Sequence, residues 1–120
     1  GRSRVVTHEA VDYDVDTMCW ELACGFPLVV GVKTYAAFET VGGDGKVPMP
    51  DGAQAGGHAM CVIGYSRHRG AFLARNSWGT SWGQHGMAWL PFGYVTNPFW
   101  CGEIHAVRAV RVLDAVGAAR

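Results

Sequence analysis

The sequence has no excess of charge of either sign and no long hydrophobic run. Ten Lys and Arg residues balance ten Asp and Glu residues, and charged residues make up only 17% of the chain. No basic patch stands out, which argues against nucleic acid as a partner. The longest apolar stretch, residues 26–32, is far shorter than the roughly 20 residues that a membrane-spanning helix needs. We therefore expect neither nucleic acid nor a membrane as a partner.

The sequence also lacks a dense set of cysteines. Its four cysteines, at irregular spacing, do not make the framework of a small disulfide-stabilised domain. The hydrophobic fraction of 49% is too high for a disordered segment. A chain of 120 residues can bury a core and corresponds to one domain or to a piece of a larger one. Because it starts at Gly1 with no apolar signal region, we expect a single partial domain cut or processed from something longer. The sequence gives no indication of a compartment.

The alternation of apolar and β-branched residues predicts an α+β fold, mostly antiparallel β with one or two short helices. Asp14 and Asp16 are suited to the start of a short helix that ends near Cys24. Residues 28–32 form a continuous apolar run, which predicts a strand buried on both faces. Glycine and proline crowd residues 41–57, which predicts a long functional loop. The other predicted segments are strands at 4–12, 58–66, 70–76, 87–90 and 104–113 and a turn region at 77–86.

Two segments contain residues suited to catalysis. His58 begins a predicted strand, and Asn76 ends the neighbouring hairpin strand. The amide oxygen of an asparagine can accept the proton of one imidazole nitrogen, which fixes the tautomer and leaves the other nitrogen free. That free nitrogen can exchange a proton with a nucleophile. Trp78 follows closely enough to cover such a hydrogen bond and keep water from it.

The two segments, Gly57-His58-Ala59 and Asn76-Ser77-Trp78-Gly79, closely resemble the papain-like cysteine peptidases. That family has the same motifs at its catalytic histidine and at the asparagine that orients it. The resemblance extends to the Gly-Phe-Pro-Leu-Val stretch that begins at Gly25 and to the ending at residues 89–95, which is like that of bacterial members. It implies a β-barrel-like half of the papain-like fold, from a cysteine peptidase that cleaves peptide or protein substrates without a cofactor.

The resemblance covers only the C-terminal half of the family's domain, residues 1–120 here. The catalytic cysteine and the glutamine of the oxyanion hole belong to the other half. The resemblance therefore implies that His58 is the general base and acid, that Asn76 orients it, and that the chain is inactive alone. It also implies a partner, either the missing half or a second copy of this chain. The alternative function is a non-catalytic papain-like module used for binding or structure.

Cys19 is the one cysteine that imitates the family's nucleophile, because Trp20 follows it. Three observations argue against it. The family's surrounding glutamine and glycine pattern is absent, and His58 follows Cys19 by only 39 residues instead of roughly 130–150. Cys19 also lies inside the predicted helix, away from the N-terminus, where the helix dipole lowers a thiol pKa.

The resemblance implies further roles for four residues. Trp78 would shield the oxyanion and His–Asn region from water. Gly31, Gly57 and Ala59 would line the pocket for the substrate side chain one residue upstream of the scissile one. All three are small, so the resemblance implies a roomy, apolar subsite.

A zinc site is the rival interpretation from another class. His58, Cys61, Cys101 and His105 offer four potential ligands. However, positions three apart in a strand point to opposite faces, so His58 and Cys61 should diverge. The last pair would need a helix, which Gly102 disfavours. We therefore expect no metal site, and we expect His8, His68 and His85 to be surface or loop residues.

Overall fold

The computed structural model describes the backbone of residues 3–113 and the side chains of residues 6–109. The elements in chain order are β1 (Ser3–Ala10), α1 (Val15–Ala23), β2 (Leu28–Tyr35), α2 (Ala36–Glu39), β3 (Gln54–Ser66), β4 (Ala71–Arg75), β5 (Met87–Pro91), α3 (Phe92–Val95) and β6 (Cys101–Leu113). The predicted α+β class with mostly antiparallel strands is confirmed. The short helix α3 was not predicted.

The six strands form one sheet in the order β1-β6-β2-β3-β4-β5, and every pairing is antiparallel. The resemblance implied a barrel-like half, but the sheet is open. Closure requires the two outer strands to pair with each other, and here β1 and β5 stand at opposite edges. Strand order depends on long-range pairing, which hydrophobic alternation does not encode.

Helix α1 starts where the sequence predicts. The Asp14 carboxylate caps it by accepting hydrogen bonds from the Thr17 backbone N–H at 2.9 Å and from the Thr17 hydroxyl at 2.8 Å. These two bonds favour the ionised form, so they lower the pKa of Asp14. Met18 and Cys19 on the inner side of the helix pack into the core. The helix thereby covers one face of the sheet.

The prediction that residues 28–32 are buried on both faces is wrong. Leu28, Val30 and Val32 are fully buried, whereas Val29 between them is 41% exposed. Side chains alternate across a strand, so the core occupies one face of β2 while the other face is uncovered. An apolar run alone does not reveal this, because Val29 is as apolar as its neighbours.

The predicted loop at 41–57 is shorter than expected, because β3 begins at Gln54. Strand β2 continues to Tyr35, where it pairs with Gln54, and Thr34 pairs with Gly56. This extension gives β3 thirteen residues. His58 therefore lies inside a paired strand with partners on both sides of it in the chain, which restrains its backbone.

Within the described residues, no helix is long and apolar enough to cross a membrane.

The turn region at 77–86 depends on a glycine in the left-handed conformation. Gly83 has φ of 60°, and a Cβ there would lie 2.5 Å from the carbonyl oxygen of Met87. That oxygen is held in place by the backbone N–H of Gln84 at 2.8 Å, so it cannot easily move away. The end of this region is bound to the residue that follows β4, because the Gly86 carbonyl accepts a hydrogen bond from the Asn76 backbone N–H at 2.9 Å.

We predict that Gly83→Ala lowers the free energy of unfolding by about 2 kcal/mol or more, from the steric clash and the positive φ together. Denaturant unfolding measures this. Gly42→Ala is the matched control, because a Cβ at Gly42 meets nothing within 4 Å, and it should change stability little. Equal effects of the two substitutions would contradict the prediction.

Candidate active site

His58 lies on β3 directly opposite Val32 of β2. Residues that face each other in an antiparallel pair share one face of the sheet, and Val32 is buried in the core. The His58 ring is therefore directed to the core side, at the end where the covering layer stops, and it is only half buried. This position holds the ring firmly while leaving part of it accessible.

Asn76 follows the last residue of β4 and is 7% exposed. Its Oδ1 atom accepts two hydrogen bonds, from His58 Nε2 at 2.7 Å and from the Ser77 backbone N–H at 2.7 Å. The backbone donor identifies this atom as the amide oxygen. Because an amide oxygen can only accept, Nε2 of His58 bears the proton, and in the neutral ring Nδ1 has the free lone pair. The amide Nδ2 of Asn76 is buried and has no hydrogen-bond partner among the described residues.

Trp78 stacks against His58, with the ring centroids 4.7 Å apart and the planes inclined by 32°. The indole makes edge-to-face contacts with Phe38 at 5.7 Å and with Trp82 at 5.8 Å. Trp82 is anchored in turn, since its Nε1 donates to the Phe38 carbonyl at 2.9 Å. Although Trp78 is 40% exposed, its contacts with Phe38 and Trp82 fix its inner edge. Phe38, Trp78 and Trp82 together form an aromatic cluster.

The three predicted subsite residues lie together on the uncovered face. Gly31 is directly opposite Ala59, and Gly57 is two residues before Ala59 on the same strand and so faces the same way. His58 lies between Gly57 and Ala59 but points to the other face. Ala59 borders a concavity of about 370 Å³ whose wall includes Val29, Cys61 and Arg75.

Glu103 is a residue that sequence reasoning missed at this position. Strand β6 pairs with β2 so that Glu103 lies opposite Gly31, on the other side from Ala59. An exposed carboxylate therefore borders the row of small residues for which only an apolar environment was expected. Glu103 is 72 residues from Gly31 in the chain, and only the strand order brings the two together.

The ligands of the rival zinc interpretation are not brought together. Cys61 is paired with Val29 and faces the uncovered side, away from the His58 ring. Cys101 starts β6 rather than a helix, and burial raises the pKa of its thiol to about 11. Among the side chains that the structure describes, no group of three or more potential ligands is arranged to hold a metal ion.

His8 was expected to be a surface or loop residue, and it is exposed, but it has a partner that the sequence did not suggest. Its Nδ1 atom lies 3.0 Å from Nδ1 of His105. The two residues are 97 positions apart, and the pairing of β1 with β6 brings them together.

The papain family cysteine protease model matches residues 2–104 of the chain. An uncharacterized peptidase C1-like protein of Acanthamoeba polyphaga mimivirus is 31% identical over 107 residues, which are 79% of this chain and 34% of that protein. Peptidase 1 of the mite Dermatophagoides pteronyssinus is 33% identical over 65 residues, 52% of this chain and 20% of the mite protein.

Two solved structures extend the similarity to the fold. Xylellain, a cysteine protease from Xylella fastidiosa, superposes with a TM-score of 0.77 at 28% identity and covers 86% of this chain and 40% of its own. Bromelain from Ananas comosus has a TM-score of 0.60 at 20% identity, covering 89% and 49%, and this similarity concerns the fold alone. The chain thus spans less than half the length of these relatives. They come from a virus, a mite and a plant as well as from Xylella, so the predicted bacterial origin is not supported.

We predict that neutral His58 has its ring proton on Nε2 and that this proton exchanges slowly with water, because Asn76 accepts it in a partly buried bond. Nitrogen-15 NMR of the histidine rings measures both properties. In Asn76→Ala the signal of the His58 ring proton should be lost, because the proton then exchanges quickly with water. In the unchanged protein, the exposed ring of His68 should give no such signal either. A persistent ring proton on Nδ1 would contradict the assignment.

Proposed function

Because the chain belongs to the papain family of cysteine proteases, we propose that it supplies the histidine and asparagine of a peptidase site whose nucleophilic cysteine lies outside these 120 residues. The observation that supports this most directly is the 2.7 Å bond from His58 Nε2 to an Asn76 oxygen that the Ser77 N–H also holds. This arrangement fixes the ring and leaves Nδ1 as the reactive atom.

In the proposed mechanism, Nδ1 of His58 takes the proton of the cysteine thiol, which gives a thiolate beside an imidazolium. The thiolate attacks the carbonyl carbon of the scissile bond, and the imidazolium then donates its Nδ1 proton to the leaving amine. A water molecule, deprotonated at the same nitrogen, hydrolyses the thioester and releases the second product. Asn76 keeps the ring oriented through both steps and, being neutral, does not compete for the transferred proton.

Trp78 protects this hydrogen bond from water. Its stacking on His58 places an apolar surface over the half-exposed ring. Water competes less with a hydrogen bond that lies in a region of low dielectric constant, so the bond orients the ring more effectively there. The contacts with Phe38 and Trp82 hold the indole in that place.

None of the four cysteines of the chain, all of which are free thiols, is a good nucleophile candidate. Burial raises the thiol pKa of Cys19, Cys61 and Cys101, which disfavours the reactive thiolate. Cys24 is exposed, but it caps the C-terminal end of α1. Carbonyl groups converge at that end of a helix and disfavour a negative charge.

The substrate is a peptide or protein, and Gly31, Gly57 and Ala59 line the pocket for the residue upstream of the scissile one. A Cβ at Gly31 would meet nothing within 4 Å, so this wall of the pocket is open. Glu103 borders the same row. The subsite is therefore less apolar than the three small residues alone implied.

The uncovered face of the sheet is the docking surface for the missing half of the domain, and in its absence for a second copy of the chain. This surface extends to the His58–Asn76 pair, because Asn76 lines the same concavity as Val29 and Ala59. Val29 and Val6 are exposed on it by 41% and 51%. With Val107 they form the apolar part of a concavity that His8, Glu103 and His105 also line. An apolar strip of this kind on an open sheet favours association, because covering it removes apolar surface from water.

We predict that the longer protein containing this segment cleaves peptides and that His58→Ala lowers kcat/KM by more than roughly a thousandfold. Asn76→Ala should lower it by roughly ten- to a hundredfold, since the ring remains but is less well oriented. His68→Ala in the exposed turn between β3 and β4 is the matched control. The 120-residue chain alone should be inactive, and cleavage by it that Cys19→Ala abolishes would contradict the proposal.

We further predict that the isolated chain associates at micromolar concentration, as measured by light scattering. Val29→Lys should weaken the association by roughly tenfold or more, because it places a charge in the centre of the apolar strip. Ile63→Lys is the control, since Ile63 is 40% exposed but borders a groove with Leu22 and Phe26 of the α1 side. A chain that stays monomeric would instead favour a self-sufficient, non-catalytic module.

A further inference from the structure

A pair of histidines, His8 and His105, lies on the uncovered face, away from His58. His8 is opposite Val107 in the ladder, and His105 lies two residues before Val107 on β6, so the two rings are diagonal neighbours on one face. Their Nδ1 atoms are 3.0 Å apart, and the rings meet edge to face with centroids 4.8 Å apart. The contact joins two histidines directly, without an intervening backbone group.

Such a contact holds only when one proton lies between the two nitrogens. One Nδ1 donates and the other accepts, which is possible when both rings are neutral or when one is protonated. With both rings protonated, two N–H groups would face each other and two positive charges would lie about 3 Å apart. The hydrogen bond is then replaced by repulsion.

Among the side chains of residues 6–109, few charges are near enough to compensate for that repulsion. The Glu103 carboxylate on β6 lies 3.7 Å from Nε2 of His105. The other side chains around the pair are apolar, namely Val6 from β1, Val29 from β2 and Val107 from β6. Within the part of the chain whose side chains are described, a single carboxylate therefore faces two imidazoles, and it contacts only the one on its own strand.

Strand β1 is the element that this repulsion would act on. It stands at the edge of the sheet and pairs only with β6 among the described strands. A bulge between Thr7 and His8 interrupts the ladder at the histidine itself. Glu9 of β1 also contacts Arg108 of β6, but this contact is long, at 3.5 Å, and exposed. Arg108 is bound more closely by buried Glu21.

We propose that His8 and His105 form an acid-sensitive clasp that holds β1 on β6. Histidine ordinarily titrates near pH 6.5. When both rings are protonated, the folded edge has two like charges about 3 Å apart, whereas in the detached strand the two charges are separated. The doubly protonated form therefore favours the detached state. By linkage, the clasp is intact above about pH 6.5. Its contribution to the stability of the β1–β6 pairing is lost as the pH falls through and below that value. The His58 site is separated from β6 by β2 and keeps its structure.

Amide hydrogen exchange of the 120-residue chain tests the clasp, with protection factors used to remove the intrinsic effect of pH. Between pH 7.5 and pH 5.0, the protection of residues 6–10 in β1 should fall roughly tenfold more than that of residues 72–74 in β4, as expected for two like charges about 3 Å apart in water. Protection in β1 that follows β4 at both pH values would overturn the proposal.

His8→Gln tests the role of the pair, because glutamine keeps a hydrogen-bonding side chain that cannot become charged. This variant should lose the extra acid response of β1, while the control His68→Gln should retain it. If His8→Gln perturbs β1 at neutral pH, His105→Gln gives the same test from β6. An undiminished acid response in both glutamine variants would overturn the proposal.

Discussion

The register between β2 and β3 is the constraint on which the candidate site depends. With Val32 opposite His58 and Gly31 opposite Ala59, the imidazole faces the core side and the small residues face the uncovered side. Side chains alternate with a period of two, so a shift of one residue would exchange these two sets. It would bury Val29 and direct His58 to the open face, away from Asn76. The burial of Val30 against Met60 and of Leu28 against Val62 therefore fixes the chemistry as well as the fold.

The asparagine is positioned by a different part of the structure. Strand β4 brings Asn76 to the end of β3, and the turn region after it folds back so that Gly86 accepts the Asn76 backbone N–H. Trp82 stabilises that turn from inside through its bond to the Phe38 carbonyl. Removal of either support would leave a buried amide without a fixed direction, and the cost of misplacing a buried polar group exceeds the gain of a single hydrogen bond. The glycines of the turn thus help to position Asn76.

The two faces of the sheet have different physical roles. One face is covered by α1 and the aromatic cluster and provides the rigidity on which the orientation of His58 depends. The other has exposed valines, the small residues of the proposed subsite, Glu103 and the histidine pair. An open face of this kind suits a domain that is completed by another segment. Charges on that face would then affect how well the other segment binds. Protonation of His8 and His105 would change the charge of a surface that the proposed partner covers.

The sequence by itself determined the class of fold, the family and the two residues of the candidate site. The alternation of apolar residues predicts the strands, Asp14 predicts the start of α1, and the segments around His58 and Asn76 resemble one family over most of the chain. These signals are local, since propensity, capping and motif spacing are properties of neighbouring residues.

Only the tertiary structure decided which strands are neighbours and which face each side chain occupies. The position of Glu103 beside Gly31, the contact between His8 and His105, the exposure of Val29 and the open edges of the sheet all follow from pairings between residues distant in the chain. A strand sequence is compatible with several partners, and the choice among them depends on the total apolar area that the whole chain buries. That sum is not a property of any one segment, so no segment reveals it.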